Sequence, residues 1–393
     1  MNTFSHAERA ANAAVFFDGS RLTLARQLAG LRKNALAERI QKTPTAVAAF
    51  ENGNKRPSAS TIAQLALALG VDPDFFAIGK IDLSKAGTSP HFRSLRSTTQ
   101  LARDQAFAYG RLVIDTAAGL ERHVEFPNVD VPQCLVNAED GDSSQPEQAA
   151  RELRSAWKLQ PGPVGHLVRI AELHGVLVIF SPLHAASVDA YSLDSSMRPV
   201  VVLNPLKHDY FRQRYDLAHE VGHLVMHADA EPGGRVIEEQ AHRFAAEFLM
   251  PAAEIRGLLP RRVDWRVLGG LKQHWNVSLQ ALLFRARRLG TMSEVTYRNA
   301  MTTVSANGWR RREPGQMPTV EQPSLLPKAV ELLADADLSE AELAEQCSVP
   351  LGLFRQITSR IPERLSAASP EQLRLDEAVA PQRGGQVVSL LDR

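Results

Sequence analysis

Arg214-Tyr-Asp-Leu-Ala-His-Glu-Val-Gly-His-Leu-Val-Met-His227 is the stretch from which the rest of the chain is read. Leu217, Val221, Leu224, Val225 and Ala228 recur at helical spacing and form an apolar stripe. Asp216, His219, Glu220, His223 and His227 form the opposite stripe. On a helix, residues four apart lie about 40° apart around the axis and roughly 6 Å apart along it. His219 and His223 are therefore spaced to grip one divalent ion, for which zinc is the usual guest. Glu220 sits on the flank of the same stripe, where a carboxylate can take a proton from an activated water. The plainer alternative is a solvated polar face that happens to be rich in histidine. Gly222 costs a helix interior about 1 kcal/mol relative to Ala, so another element is expected to pack closely there.

Two imidazoles leave the site short of a third protein ligand. The next helical pattern, Glu238-Glu-Gln-Ala-His-Arg-Phe-Ala-Ala-Glu-Phe-Leu-Met250, turns Ala241, Ala245, Phe248 and Leu249 inward. Glu238 and His242 fall on that inward face, whereas Glu239, Gln240, Arg243 and Glu247 are expected to point away. A carboxylate among core residues is costly unless a cation meets it, which makes Glu238 the third ligand. Glu239 and His242 are the alternatives, and His242 is read rather as a group that steadies a ligand.

The chain of 393 residues is 44% hydrophobic, enough for two or three domains, and its net charge of +1 names no partner. Basic residues outnumber acidic ones over residues 1–80, and the reverse holds over 320–393. Cys134 and Cys347 are too few and too far apart for a disulfide framework, which suits a reducing cytoplasm. With no run of eighteen apolar residues and no charged-then-apolar start, neither a membrane span nor secretion is expected.

Residues 1–16 read as a flexible extension. Over 17–80, short helical patterns crowd together: Leu22 to Ala29, Ala35 to Ile40, a third opened by Thr43-Pro44 and closed at Gly53, a fourth capped by Ser58 or Ser60, and a turn at Asp72-Pro73. Five short helices of this kind make a helix-turn-helix module whose third helix enters the major groove of double-stranded DNA. Leu36-Ala-Glu38, Phe50-Glu-Asn-Gly53 and Arg56-Pro-Ser58 resemble the XRE (Cro-type) repressor family. By that resemblance the reading positions are Thr43, Thr45, Ala46, Ala48 and Ala49, a set poor in hydrogen-bonding side chains. Arg32, Lys33, Lys42, Lys55 and Arg56 are the candidate phosphate contacts. A homodimer is the form in which such heads bind; a helical bundle kept for partner docking is the alternative.

Residues 81–146 read as a linker and a long helix from about Thr98 to His123, and two further helices follow over 147–174. Val176 to Phe180, Val188 to Leu193 and Val200 to Leu203 are strand candidates, which implies a small mixed sheet packed on the metal helix. The edge strand of such a sheet can hold an extended peptide by β-augmentation. Tyr191 and His227 are candidates to polarise a substrate carbonyl. Residues 291–326 read as a linker, 327–365 as a C-terminal helical unit whose acidity suits a partner or dimer surface, and 366–393 as a loose tail.

Over residues 147–290 the chain resembles the ImmA/IrrE family of metallopeptidases. The carrying residues are Arg198-Pro-Val-Val-Val-Leu-Asn204, Arg212-Gln-Arg214, the His219 to His223 motif with His227 after it, and Glu238 to Pro251, with His242 where family members commonly have Asn. The resemblance implies a gluzincin-like α+β domain, one zinc ion, endopeptidase activity without ATP, and a repressor- or antitoxin-type protein substrate. The expected fold is mainly α with a small mixed β-sheet: a five-helix head, a central metallopeptidase domain with a helical cap, and a C-terminal helical region. The expected function is a cytoplasmic regulator that binds DNA and cleaves a protein. The rival readings are a transcription factor whose metal domain is a non-catalytic sensor or structural module, and an antitoxin-like binding module.

Overall fold

The computed structural model describes residues 5–77, 90–91, 99–141, 143–182, 190–195, 197–207, 209–227 and 234–360. Most of the linker expected at 81–96, the turn at 231–233 and the tail from 366 lie outside them.

A small mixed sheet organises the fold. Strands β2 (Leu177–Phe180), β3 (Ala190–Leu193) and β4 (Val200–Leu203) are those expected from the sequence, and β1 is the added pair Pro90–His91. The order is β1-β3-β4-β2, with β2 parallel to β4 and the other neighbours antiparallel. Every residue of β2, β3 and β4 is buried, so the sheet is covered on both faces, which explains its near-continuous apolar runs. Alternation along the strands divides the interior in two. Leu177, Ile179, Tyr191, Leu193, Val200 and Val202 face one core, and Val178, Phe180, Ala190, Val201 and Leu203 face the other.

The first core holds the head, the long helix α6 (Gln100–Leu120) and the C-terminal helices α15 (Leu325–Ala334), α16 (Glu340–Gln346) and α17 (Leu351–Ile357). In the head, α2 (Gly19–Leu28), α3 (Lys33–Arg39), α4 (Pro44–Glu51) and α5 (Ala59–Leu69) stand where the sequence predicts them, with a 3-10 turn at Pro73–Phe76. Of the flexible extension expected over 1–16, residues 1–4 lie outside the described residues, and the remainder forms helix α1 (His6–Val15) instead. Ser5 and Glu8 form its capping box, and Ala10 and Ala13 are buried. The C-terminal unit packs one side against the rest of this chain. Arg21 of the head donates to Asp115 of α6 at 3.0 Å and to the Ser348 carbonyl, and Arg122 donates to the Gln346 carbonyl at 2.7 Å. One side of the acidic unit thus meets this chain's own α6 and head.

The second core packs α7 (Gln145–Ala156), α8 (Leu167–Leu173), α9 (Tyr210–Met226), α10 (Arg235–Leu249), the short α11 (Ala252–Ile255), α12 (Trp265–Trp275), α13 (Leu279–Arg288) and α14 (Glu294–Ala306). The last of these occupies part of the expected 291–326 linker, and the remainder is fastened down. Glu313 pairs with Lys272 at 3.0 Å and accepts from the Leu279 amide, while Glu321 pairs with buried Arg214 and accepts from the Val168 amide. Removing one partner of such a buried pair strands a charge, at a cost of about 3–5 kcal/mol.

Among the glycines that mark close approaches, Gly222 and Gly119 stand where helices meet. A Cβ on Gly222 of α9 would stand 2.8 Å from the Phe244 ring of α10, the tight packing expected there. A Cβ on Gly119 of α6 would stand 2.2 Å from Sγ of Cys347, where α16 meets it. Gly119→Ala is therefore expected to lower the free energy of unfolding by about 1–3 kcal/mol through overpacking. Gly270→Ala, exposed on α12 with nothing within 4 Å, is expected to raise it by about 0.5–1 kcal/mol. Urea titrations of the two variants measure both.

Candidate metal centre

Helix α9 starts at Asp209, whose carboxylate caps the Phe211 and Arg212 amides at 3.1 Å, and it stays buried from Leu217 to Met226. Its histidine stripe faces α10. Nε2 of His219 and Nε2 of His223 lie 3.0 Å apart. The Glu238 carboxylate, one turn into α10, reaches them at 3.7 Å and 3.8 Å. Among the described residues these three are the group able to offer a metal its ligands, with all ligand atoms within 4.8 Å of one another. Glu239 faces outward and pairs with Arg288 at 3.3 Å. His242 stays beside the cluster without joining it. Its ring stands edge-on to His219 at 4.8 Å between centroids, and Nδ1 lies 3.3 Å from the Tyr215 hydroxyl.

A hydrogen-bond chain behind His223 decides what that imidazole presents. The Gln240 amide donates from Nε2 to the carbonyls of Asn137 and Asp140 at 2.8 and 2.9 Å, which fixes its oxygen on the other side. That oxygen can only accept, so Nε2 of His227, 2.9 Å away, carries the hydrogen. Nδ1 of a neutral His227 is then an acceptor, and it lies 3.1 Å from Nδ1 of His223. His223 donates from Nδ1, which leaves a lone pair on the Nε2 facing His219 and Glu238. A metal-ligating imidazole needs this tautomer. His227 thus steadies His223, and both its ring nitrogens have partners; it does not reach out as a carbonyl polariser.

Sequence reasoning missed Gln240. It was placed on the outward side of α10 with Arg243 and Glu247, yet all three are buried. The far side of α10 faces α7 and the 137–147 segment rather than water. Arg243 pairs there with Glu147 at 2.6 Å and donates to the carbonyls of Gly141 and Ser143, and Glu247 is held by Arg285 and by Arg151 at 3.2 Å. Repeated buried partners, more than any apolar face, explain why this helix is so rich in polar residues.

Glu220 is buried, and its Oε2 accepts from the Ser192 hydroxyl at 2.9 Å. No sequence motif marks Ser192, and its orientation rules out the carbonyl-polarising role expected of Tyr191. Strand alternation sends neighbouring side chains to opposite faces. Ser192 faces α9, so Tyr191 faces away and donates to the Ala106 carbonyl of α6 at 2.9 Å. Burial, reinforced by nearby Tyr109, raises the Tyr191 hydroxyl well above the ordinary phenol range and keeps it a neutral donor. It cannot polarise a carbonyl on the α9 side.

In the head, Thr43 caps α4 by accepting from the Ala46 amide at 3.1 Å, and Thr45 is exposed. Ala46, Ala48 and Ala49 are half-buried, with Val47 and Phe50 turned into the core. Lys33 pairs with Glu51 at 3.2 Å, and Arg56 donates to the Val15 carbonyl at 3.1 Å. Arg32, Lys42 and Lys55 are exposed and make no ion pair among the described residues.

Replacing Gln240 by Leu is expected to release the His227 ring, so that metal-free His223 exchanges between tautomers instead of holding one. Long-range nitrogen–proton NMR correlations of the histidine rings read this directly, and the buried polar loss should cost about 1–3 kcal/mol of stability.

Compared with known families, residues 22–76 match the helix-turn-helix model and residues 171–287 match the IrrE N-terminal-like domain. None of the curated proteins compared with the chain matches it. The first match spans α2 to the Pro73–Phe76 turn, and the second contains His219, Glu220, His223, Glu238 and Gln240. The chain therefore joins an XRE-type, DNA-binding helix-turn-helix domain to an IrrE-like domain of metallopeptidase type.

Proposed function

We propose that this protein is a cytoplasmic transcriptional regulator that binds double-stranded DNA through its head, as a homodimer. Its central domain would hydrolyse a peptide bond in a repressor- or antitoxin-type protein. The observation that carries the reading is the convergence of His219, His223 and Glu238 from two helices, with the buried carboxylate of Glu220 beside them. The donor set suits one zinc ion: two imidazoles and a carboxylate are the three protein ligands of a catalytic site that keeps its fourth position open. A closed structural site would need a fourth protein ligand. His227 and His242 are the nearest histidines, and the first already bonds His223 and Gln240 while the second packs edge-on against His219.

Zinc bound there would polarise the scissile carbonyl and make water a nucleophile near neutral pH. Glu220 is the base of this proposal. It takes the proton from the attacking water and hands it to the leaving amine, and the Ser192 hydroxyl orients its carboxylate. The His227–Gln240 chain would keep the His223 lone pair free for a bound ion. Two unpaired cysteines accord with a reducing compartment, and no described helix is long and apolar enough to cross a membrane.

Glu220→Gln is expected to retain one zinc per chain while cleavage falls by about 10²–10⁴, and His223→Ala to lose both. Metal analysis of the pure variants, with proteomics of cells expressing wild type or Glu220→Gln, checks this; equal cleavage of a validated substrate by both would refute the hydrolase reading. For the head, Lys42→Ala and Lys55→Ala are each expected to weaken DNA binding and to reduce the salt slope by about one, measured by fluorescence anisotropy over a salt series.

A further inference from the structure

Away from the candidate metal centre, the helical cap gathers arginines beside two indoles. Trp265 opens α12 and Trp309 follows α14, and their rings meet edge-to-face with centroids 5.1 Å apart. Both are half-buried. Next to them in the chain stand Arg261, Arg262 and Arg266, and Arg310, Arg311 and Arg312, all six exposed. None of these forms an ion pair among the described residues, whereas exposed Arg287, Arg288, Arg298 and Arg355 each meet a carboxylate. The acids close by are engaged elsewhere. Asp264 caps the Arg266 and Val267 amides at 3.0 Å, and Glu313 pairs with buried Lys272. A chain with a net charge of +1 thus leaves a dense group of cations unbalanced here, although like charges so close repel one another.

The two indoles line a cavity of about 540 Å³ together with Gln273, Pro314 and Gln316, and no charged residue joins that lining. Hydrogen bonds from α12 hold its wall in place. Lys272 donates to the Pro314 carbonyl at 3.0 Å, and Nε2 of Gln273 donates to the Gln316 carbonyl at 2.7 Å. With its nitrogen so occupied, the Gln273 amide presents its oxygen as an acceptor.

We propose that this part of the cap binds single-stranded RNA, with an unpaired base in the cavity and the phosphodiester backbone across the arginines. The inference goes beyond the hydrolase reading and does not depend on it.

Chemistry selects this ligand over its rivals. Indole faces stack bases of any sequence, and arginine both pairs with phosphate and stacks on planar rings. A solvated basic face would account for the arginines but not for two half-buried tryptophans beside an uncharged cavity. An acidic peptide would answer the charge, yet its carboxylates bring the indoles no planar partner. A nucleotide carries the planar ring and the anion in one unit. Duplex DNA keeps its bases stacked within the helix and shows a protein only their edges. RNA offers unpaired bases in loops and ends, where aromatic rings and guanidinium planes take them. Its 2′-hydroxyl can donate to the Gln273 oxygen, a bond that DNA lacks.

The test follows the anisotropy of a labelled oligouridylate of about twelve nucleotides with the full chain, between about 50 and about 200 mM salt. Affinity should fall as salt rises. Arg311→Ala combined with Arg312→Ala should lower the slope of log affinity on log salt by about 1.4, since each phosphate contact on a single strand contributes about 0.7. Both arginines are exposed, so this variant should unfold at the wild-type temperature. Trp309→Ala should weaken binding about tenfold or more. Trp309→Phe, which keeps a stacking ring, should retain most of the affinity while losing part of the indole quenching that RNA causes in the wild type. Absence of binding at the lowest salt, or an unchanged slope in the arginine variant, would overturn the proposal. So would loss of binding in Lys42→Ala with Lys55→Ala alone, which would move the strand to the head. A deoxyuridylate of equal length that binds as tightly would overturn the choice of RNA, and polyglutamate of equal charge that displaces the RNA as well as RNA itself does would overturn nucleic acid altogether.

Discussion

Everything at the candidate metal centre depends on how closely α10 can lie on α9. Gly222 has no side chain, and the Phe244 ring fills the space that a Cβ would take. This contact sets the distance between the helices and brings Glu238 within 4 Å of both imidazoles. Lengthening the separation by the width of a methyl group would leave a partly buried carboxylate facing nothing that could balance it. The glycine in the motif thus shapes the candidate site as much as His219, His223 and Glu238 do, although its own contact is with Phe244.

Its second dependence is on a sheet covered twice. The two faces of β3 do different things one residue apart: Tyr191 bonds α6 in the core shared with the head, and Ser192 bonds Glu220 in the core around the candidate metal centre. A short run of contacts therefore connects the head to the acid through α6 and a single strand. The covered faces also account for the C-terminal helices. They complete the first core around α6 and the head, and Gly119 lets Cys347 approach to make that closure tight.

Charge inside the protein is handled by pairing rather than by avoidance. Arg214 with Glu321, Lys272 with Glu313, and Arg285 with Glu247 are all buried pairs. The first two fasten the stretch after α14 to the metallopeptidase-type domain, and the third anchors the outer side of α10. Each demands its partner, because an isolated charge in that environment costs several kcal/mol. They turn what composition would call a linker into an ordered part of the wall.

Local pattern alone was sufficient for much of this. The periodicity of 214–227, the cap at Thr43-Pro44 and the apolar runs at 177–180 and 200–203 placed α9, α4, β2 and β4. The cost of burying an unmatched carboxylate singled out Glu238 over Glu239. The misreadings share one cause. Gln240, Arg243 and Glu247 looked outward because their stripe is polar, and the 291–326 stretch looked loose because it is rich in Arg and Pro. Polarity reports what a side chain needs, and water and a buried partner satisfy that need equally well. Only the packed chain shows that α7, the 137–147 segment and the buried arginines supply those partners. The strand adds the last distinction: alternation says that Tyr191 and Ser192 face opposite ways, but only the position of α9 says which of them meets Glu220.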